Sequence, residues 1–249
     1  MNKLTLLLLA LAACNGGAPA PAAAPAAPAS ASASATAIGS GPLSAEFVDL
    51  TKAPLHVEHV ACEQHVVAIV TGNASTPAGQ LHAGDLLLSQ GKGSYDVTGS
   101  ALVVSARVAK DHACAPDEPG KLEAKIVRAS AAPDLAFAGG KMHAHLDADD
   151  RALAPFAYVG RLEGTAPVAE HAHEGSWELL CAFEAAGTFT LAGQSQRLSP
   201  RTCVTVPPNT KHSWAPDANS TLRAVQLYAP PGPEQRFKAL AAKERDGGR

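Results

Sequence analysis

His171-Ala172-His173-Glu174-Gly175-Ser176-Trp177-Glu178, followed by Pro207-Pro208-Asn209-Thr210-Lys211-His212, is the stretch that decides how this chain folds. Side chains on a β-strand alternate with period two, so His171 and His173 share a face, and a bend at Gly175 lets Glu178 return to it. His212 comes from a later strand. Two imidazoles and a carboxylate hold Fe, Mn, Zn or Ni with coordination positions left open, and a third imidazole tightens the grip. His171, His173, Glu178 and His212 are therefore the expected ligands of one divalent transition metal, beside which a small molecule can bind.

Outward from this stretch, short β-like runs bounded by turn residues dominate, at 65–70, 85–89, 101–108, 121–127, 156–163, 177–183, 202–206 and 221–228. Such spacing predicts an all-β barrel or sandwich. Only 233–243 has helical character, with Phe237, Leu240 and Ala241 at helical spacing behind a proline, and this short C-terminal helix is expected on the outside of a barrel.

The run Gly164…His171-Ala-His173…Glu178…Gly187, then Pro207-x-Asn209-x-x-His212, resembles the two-part signature of the cupin superfamily across about residues 155–230. Asn209 stands where the family usually has glycine, and the spacing from Gly164 to His171 is one residue longer than usual. Asparagine tolerates positive φ better than other non-glycine residues, so the turn is expected to survive. The resemblance implies a jelly-roll barrel with the four residues as metal ligands, and leaves room for a homodimer. It does not choose among dioxygenase, isomerase, decarboxylase and lyase chemistry.

The first half repeats the second. Val70-Thr71-Gly72 aligns with Ala185-Ala186-Gly187, Leu81…Asp85-Leu86-Leu87 aligns with Leu198…Thr202-Cys203-Val204, and Gly79-Gln-Leu81-His-Ala-Gly84-Asp85 resembles the family's G-x-L-x-x-G-D turn. Two tandem cupin barrels are thus expected, a degenerate one at 42–130 and a metal-binding one at 131–249. Carried across, His56 falls opposite His171, Glu58 opposite His173, Glu63 opposite Glu178 and Tyr95 opposite His212. The first barrel then reads as a structural repeat, with a carboxylate-rich site of His56, Glu58 and Glu63 as the alternative.

Lys3 and the apolar run Leu4 to Leu11 read as a signal peptide, too short to span a bilayer. Leu11-Ala12-Ala13-Cys14 resembles the bacterial lipobox, which implies cleavage after residue 13, a lipid on Cys14 and anchoring at the cell envelope, with Asn15 resembling an outer-membrane sorting signal. Residues 14–41, rich in Ala, Pro and Ser, cannot bury a core and are expected to be a disordered tether with a reach of about 25–30 Å. The formal net charge of −3 gives no reason to expect nucleic acid as a partner.

A second H-x-H, His143-Ala-His145, has Met142, Ala144 and Leu146 on the opposite face and no downstream Glu or proline-turn histidine, so it reads as a solvated face of an edge strand. Beyond Cys14, an exported chain with Cys62, Cys114, Cys181 and Cys203 permits disulfides, the simplest pairing being within each half, with two buried free thiols on neighbouring strands as the other reading of Cys181 and Cys203. Glu174, Trp177, Phe183, Trp214 and Tyr228 are candidates for the barrel mouth, with core packing as the other reading of the aromatics and a solvated loop position as that of Glu174. Two functions stay open: a metal-dependent enzyme acting on a small molecule, or an envelope protein that binds a metal or small ligand without turnover.

Overall fold

The computed structural model describes residues 41–60, 63–109, 120–146 and 157–247. The leader, Cys14, the tether, Cys62 and Cys114 lie outside them. Seven antiparallel strands form the first sheet: β1 (Leu43–Asp49), β2 (Leu55–His59), β3 (Glu63–Thr76), β4 (Gly79–His82), β5 (Leu86–Gln90), β6 (Gly93–Ala109) and β7 (Glu123–Val127). The order β1-β6-β3-β5-β7 holds one layer, while the far ends of the two longest strands pair with β2 and β4 to build the other. To serve both layers β3 and β6 must bend together. They do so where Gly72 sits at φ 81°, and a Cβ there would lie 1.9 Å from the Ser100 carbonyl oxygen, so only glycine fits.

The second half contains β8 (Asp134–Phe137), β9 (Met142–Leu146), β10 (Tyr158–Gly164), β11 (Val168–His171), β12 (Trp177–Glu184), β13 (Gly187–Leu191), β14 (Gln194–Leu198), β15 (Thr202–Val206), β16 (His212–Pro216), β17 (Leu222–Ala229) and the helix α1 (Gln235–Gly247). A six-stranded sheet, β15-β12-β17-β10-β9-β8, faces a four-stranded one, β11-β16-β13-β14. The two enclose Met142, Leu162, Leu180, Phe189, Trp214 and Tyr228. The architecture is the expected pair of jelly-roll barrels, nearly all β. None of the helices among the described residues is long and apolar enough to cross a membrane.

The unbroken apolar run Val66-Val67-Ala68-Ile69 is explained by burial on both faces of β3. Val67 and Ile69 fill the first barrel with Leu81, Leu87 and Val103, whereas Val66 and Ala68 look outward. There they meet Leu179, Val225 and Leu227 from the outer face of the second barrel's large sheet, in a cluster completed by Leu86, Leu88 and Val104. The same alternation on β12 turns Leu179 and Cys181 outward and Leu180 and Ala182 inward.

Two expectations change. The helix closes the end of the second barrel instead of lying on its outside: Phe237 is buried in the core and stacks on Phe137 with ring centroids 5.6 Å apart. And β9, which carries His143 and His145, is not an edge strand, because the short β8 pairs along its free side and occupies the edge. Met142 and Ala144 are in the core as expected, and the two histidines on the other face sit beside Asp134, at 3.1 Å and 3.8 Å.

Candidate metal centre

Three strands converge on one end of the second barrel. The pairing of β11 with β16 sets His171 directly opposite His212, and His173 lies two residues past His171 on the same side. The chain then turns at Gly175, at φ 70°, and Glu178 enters as an inward residue of β12. Asn209 takes the place usually held by glycine at φ 60°, and its backbone N–H donates to the His173 carbonyl at 2.8 Å. The proline turn therefore ties the two ligand segments together, and the left-handed position that the sequence demanded of Asn209 is present.

One ligand atom from each of His171, His173, Glu178 and His212 lies within 4.8 Å of all the others. The imidazoles are oriented by the backbone. His171 Nδ1–H donates to the Ala169 carbonyl at 2.9 Å and His212 Nδ1–H to the Thr210 carbonyl at 3.0 Å, which leaves both Nε2 atoms as lone pairs turned away from these carbonyls. His173 Nε2–H donates to Glu178 Oε2 at 3.0 Å, and His212 Nε2 lies 2.9 Å from the same oxygen. That second contact is off the hydrogen-bonding direction, so His212 Nε2 is a buried nitrogen without a hydrogen-bond partner.

Electrostatics follow from this crowding. Burial alone would raise the Glu178 carboxyl, but His173 and His212 outweigh it and hold it well below the usual carboxylate range. Burial lowers His171 to about 4, so its imidazole is neutral at neutral pH. His212 is pulled down by burial, yet the Glu178 carboxylate beside it produces a net rise. An ionised carboxylate, ready imidazoles and an orphaned Nε2 form a donor set that suits a divalent transition metal.

Gln226 escaped the sequence reading. From the neighbouring strand β17 its Nε2–H donates to Glu178 Oε1 at 2.6 Å, fixing the carboxylate from behind. Gln226→Leu is expected to leave the fold intact and weaken metal affinity roughly 10- to 100-fold, as loss of an orienting partner does. A competitive chelator titration reads this out, and an unchanged affinity would remove Gln226 from the site.

A cavity of about 70 Å³ opens against the four residues. Trp214 and Tyr228 line it but are buried in the core, whereas Trp177 and Phe183 pack on the other face of the sheet and Glu174 is exposed. Arg236, which the sequence did not flag, lines the cavity as well.

The first barrel corrects the repeat by one residue. Val57 pairs opposite Tyr95 as His171 pairs opposite His212, so the positions matching the H-x-H are Val57 and His59. His56 and Glu58 alternate outward, His56 pairing with Asp96 at 2.7 Å, and the carboxylate-rich alternative with Glu63 is not assembled. A one-residue slip reverses every side chain of a strand. Inside are His59, His65, Ser89 and Tyr95, joined by Ser89 Oγ at 2.9 Å from His59 Nε2 and 2.7 Å from the Tyr95 hydroxyl. Cys181 and Cys203 face each other on β12 and β15 and form a disulfide.

No protein-family model matches the sequence, and no curated protein matches it either. Solved structures do. An oxalate decarboxylase from Lactobacillus farciminis, in complex with formate, is 10% identical over 80% of this chain and 85% of its own, with a TM-score of 0.55. A vicilin from Corylus avellana is 10% identical over 71% and 74%, at 0.54. A protein of Pseudomonas aeruginosa described as glyoxylate-induced is 12% identical over 76% and 81%, at 0.53. At such identities the likeness shows the fold: two tandem jelly-roll barrels like those of these neighbours.

Proposed function

We propose that this chain is a divalent-metal-binding cupin of the cell envelope that acts on a small molecule in the cavity of its second barrel. The observation that carries the reading is the convergence of His171, His173, Glu178 and His212, with the buried Nε2 of His212 lacking a hydrogen-bond partner. These four residues would hold the ion, and Gln226 would orient the carboxylate. A bound divalent ion polarises an oxygen of its ligand. The chain's own residues exclude water through the apolar cavity wall and place the small molecule against the ligand set.

Binding without turnover is the second reading, and one observation favours it. Among the described residues, no carboxylate or lysine outside the ligand set lines the cavity, and burial raises the Tyr228 hydroxyl well above its ordinary range, which makes it a poor proton donor. Elemental analysis of the full chain tests the shared part: about one divalent ion per chain is expected, and a metal-free chain after loading would overturn it. Oxygen uptake and turnover of small acids, sugars and phenols then separate enzyme from binder. The envelope location rests on the lipobox-like Leu11-Ala12-Ala13-Cys14. Cys14→Ala is expected to block processing or release soluble protein, and a normally processed, membrane-bound variant would exclude lipidation.

A further inference from the structure

The cavity beside the candidate metal centre has a polar end and an apolar body. At the inner end are the four ligand residues, and the walls are Phe137, Met142, Leu162, Phe189, Leu222 and Phe237. Among the described residues, the one lysine or arginine along this lining is Arg236, on the first turn of α1. It is solvent-exposed on its outer side, at the mouth, where a second and wider depression adjoins and shares it. Its charge is felt at His171, His212 and Tyr228.

Two facts about Arg236 ask for an explanation. Among the described residues no carboxylate pairs with it, and of the arginines without such a partner, which include Arg161, Arg201 and Arg245, it is the one that lines this cavity. And the helix that carries it is held in place. The Phe237–Phe137 stack at 5.6 Å and the Gly139 N–H donated to Glu244 at 2.8 Å fasten α1 across the barrel end. A guanidinium at the mouth of an apolar cavity, carried on a fastened helix and with no internal counter-charge, is complementary to an incoming anion.

We propose that the site takes a small organic carboxylate, its carboxylate paired with Arg236, its short carbon body against the apolar wall, and its far end toward the His/Glu group. The cavity sets the size: about 70 Å³ is room for roughly five to seven waters, well below the volume that drug-sized ligands fill. This rests on the proposed metal site for the inner end of the ligand, but the anion contact at Arg236 is separable from it.

The test is calorimetric titration of the full, metal-loaded chain with propionate and with its neutral isostere propionamide, alongside metal content and melting temperature. Propionate is expected to bind and propionamide to bind at least about tenfold more weakly. Arg236→Gln should weaken propionate roughly 10- to 100-fold with metal content unchanged, and Arg236→Lys, which keeps the charge, should recover most of the affinity. Equal binding of the two probes by the parent, no propionate binding, or an Arg236→Gln variant that binds propionate like the parent each overturns the proposal and leaves the metal site standing. Absence of metal from the parent overturns the metal site instead, and the same titration on the metal-free chain still decides the anion contact. If Arg236→Gln lowers the melting temperature, the contrast between the two probes on the parent and on Arg236→Lys decides.

Discussion

With His171 and His173 both replaced by alanine, the chain is expected to retain almost no divalent metal where the parent holds about one ion. Only Glu178 and His212 then remain, one carboxylate and one imidazole, too few to compete with water for a transition metal. The loss should be larger than for either single variant, because each imidazole removed leaves a monodentate position open. His56→Ala with Glu58→Ala is the matched control: both side chains face solvent on β2, and metal content should not change. Full metal occupancy in the His171, His173 double variant would show the assignment to be wrong. A folded state is expected throughout, since the core cluster around Leu180, Phe189 and Trp214 is untouched, and melting temperature checks it.

The second large effect lies in the first barrel. His65 is buried in the first barrel, and neither of its ring nitrogens has a hydrogen-bond partner. Burial, with His59 at a centroid distance of 4.4 Å and Arg107 nearby, lowers its pKa from 6.5 to about 3. The folded chain thus refuses a proton that the unfolded chain accepts. Its contribution is fully present above pH 6.5 and is lost as pH falls toward about 3, by up to about 1.4 kcal/mol per pH unit. His65→Leu removes the orphaned nitrogens from the barrel interior that His65 shares with His59, and should stabilise the chain by about 1–3 kcal/mol at neutral pH. The gap between variant and parent should widen as pH drops from 6.5 to 4 in denaturant melts. A constant gap across that range would mean that His65 is not buried in the neutral form.

The ligand set was legible because each of its residues is chemically loud and their spacing matches a strand, a bend and a turn. Asn209 was legible for a related reason, since few residues other than glycine accept its φ of 60°. Gln226 was not, although a single amide inside the apolar run Val225-Gln226-Leu227 is the kind of signal that could have marked it. The slip in the first barrel has a different cause. His56-Val57-Glu58-His59 offers a polar pair in one register and Val57 with His59 in the other, and alternation alone does not break that tie. The pairing of Val57 with Tyr95 does, and it is a long-range fact. The helix was found by its spacing, but its place was not, because Phe137, the ring on which Phe237 stacks, lies about a hundred residues earlier in the chain. β8 was missed because a four-residue strand carries too little pattern to be seen.

The apolar cluster that Val66, Ala68 and Val104 share with Leu179, Val225 and Leu227 has a consequence for how this protein can be taken apart. Neither half has a water-compatible surface of its own on that side. Cut between them, each would display a flat aliphatic sheet face that invites self-association. The two repeats should therefore melt in one transition and be inherited as a unit, and the first, whatever chemistry it lacks, serves as the other's solvent shield.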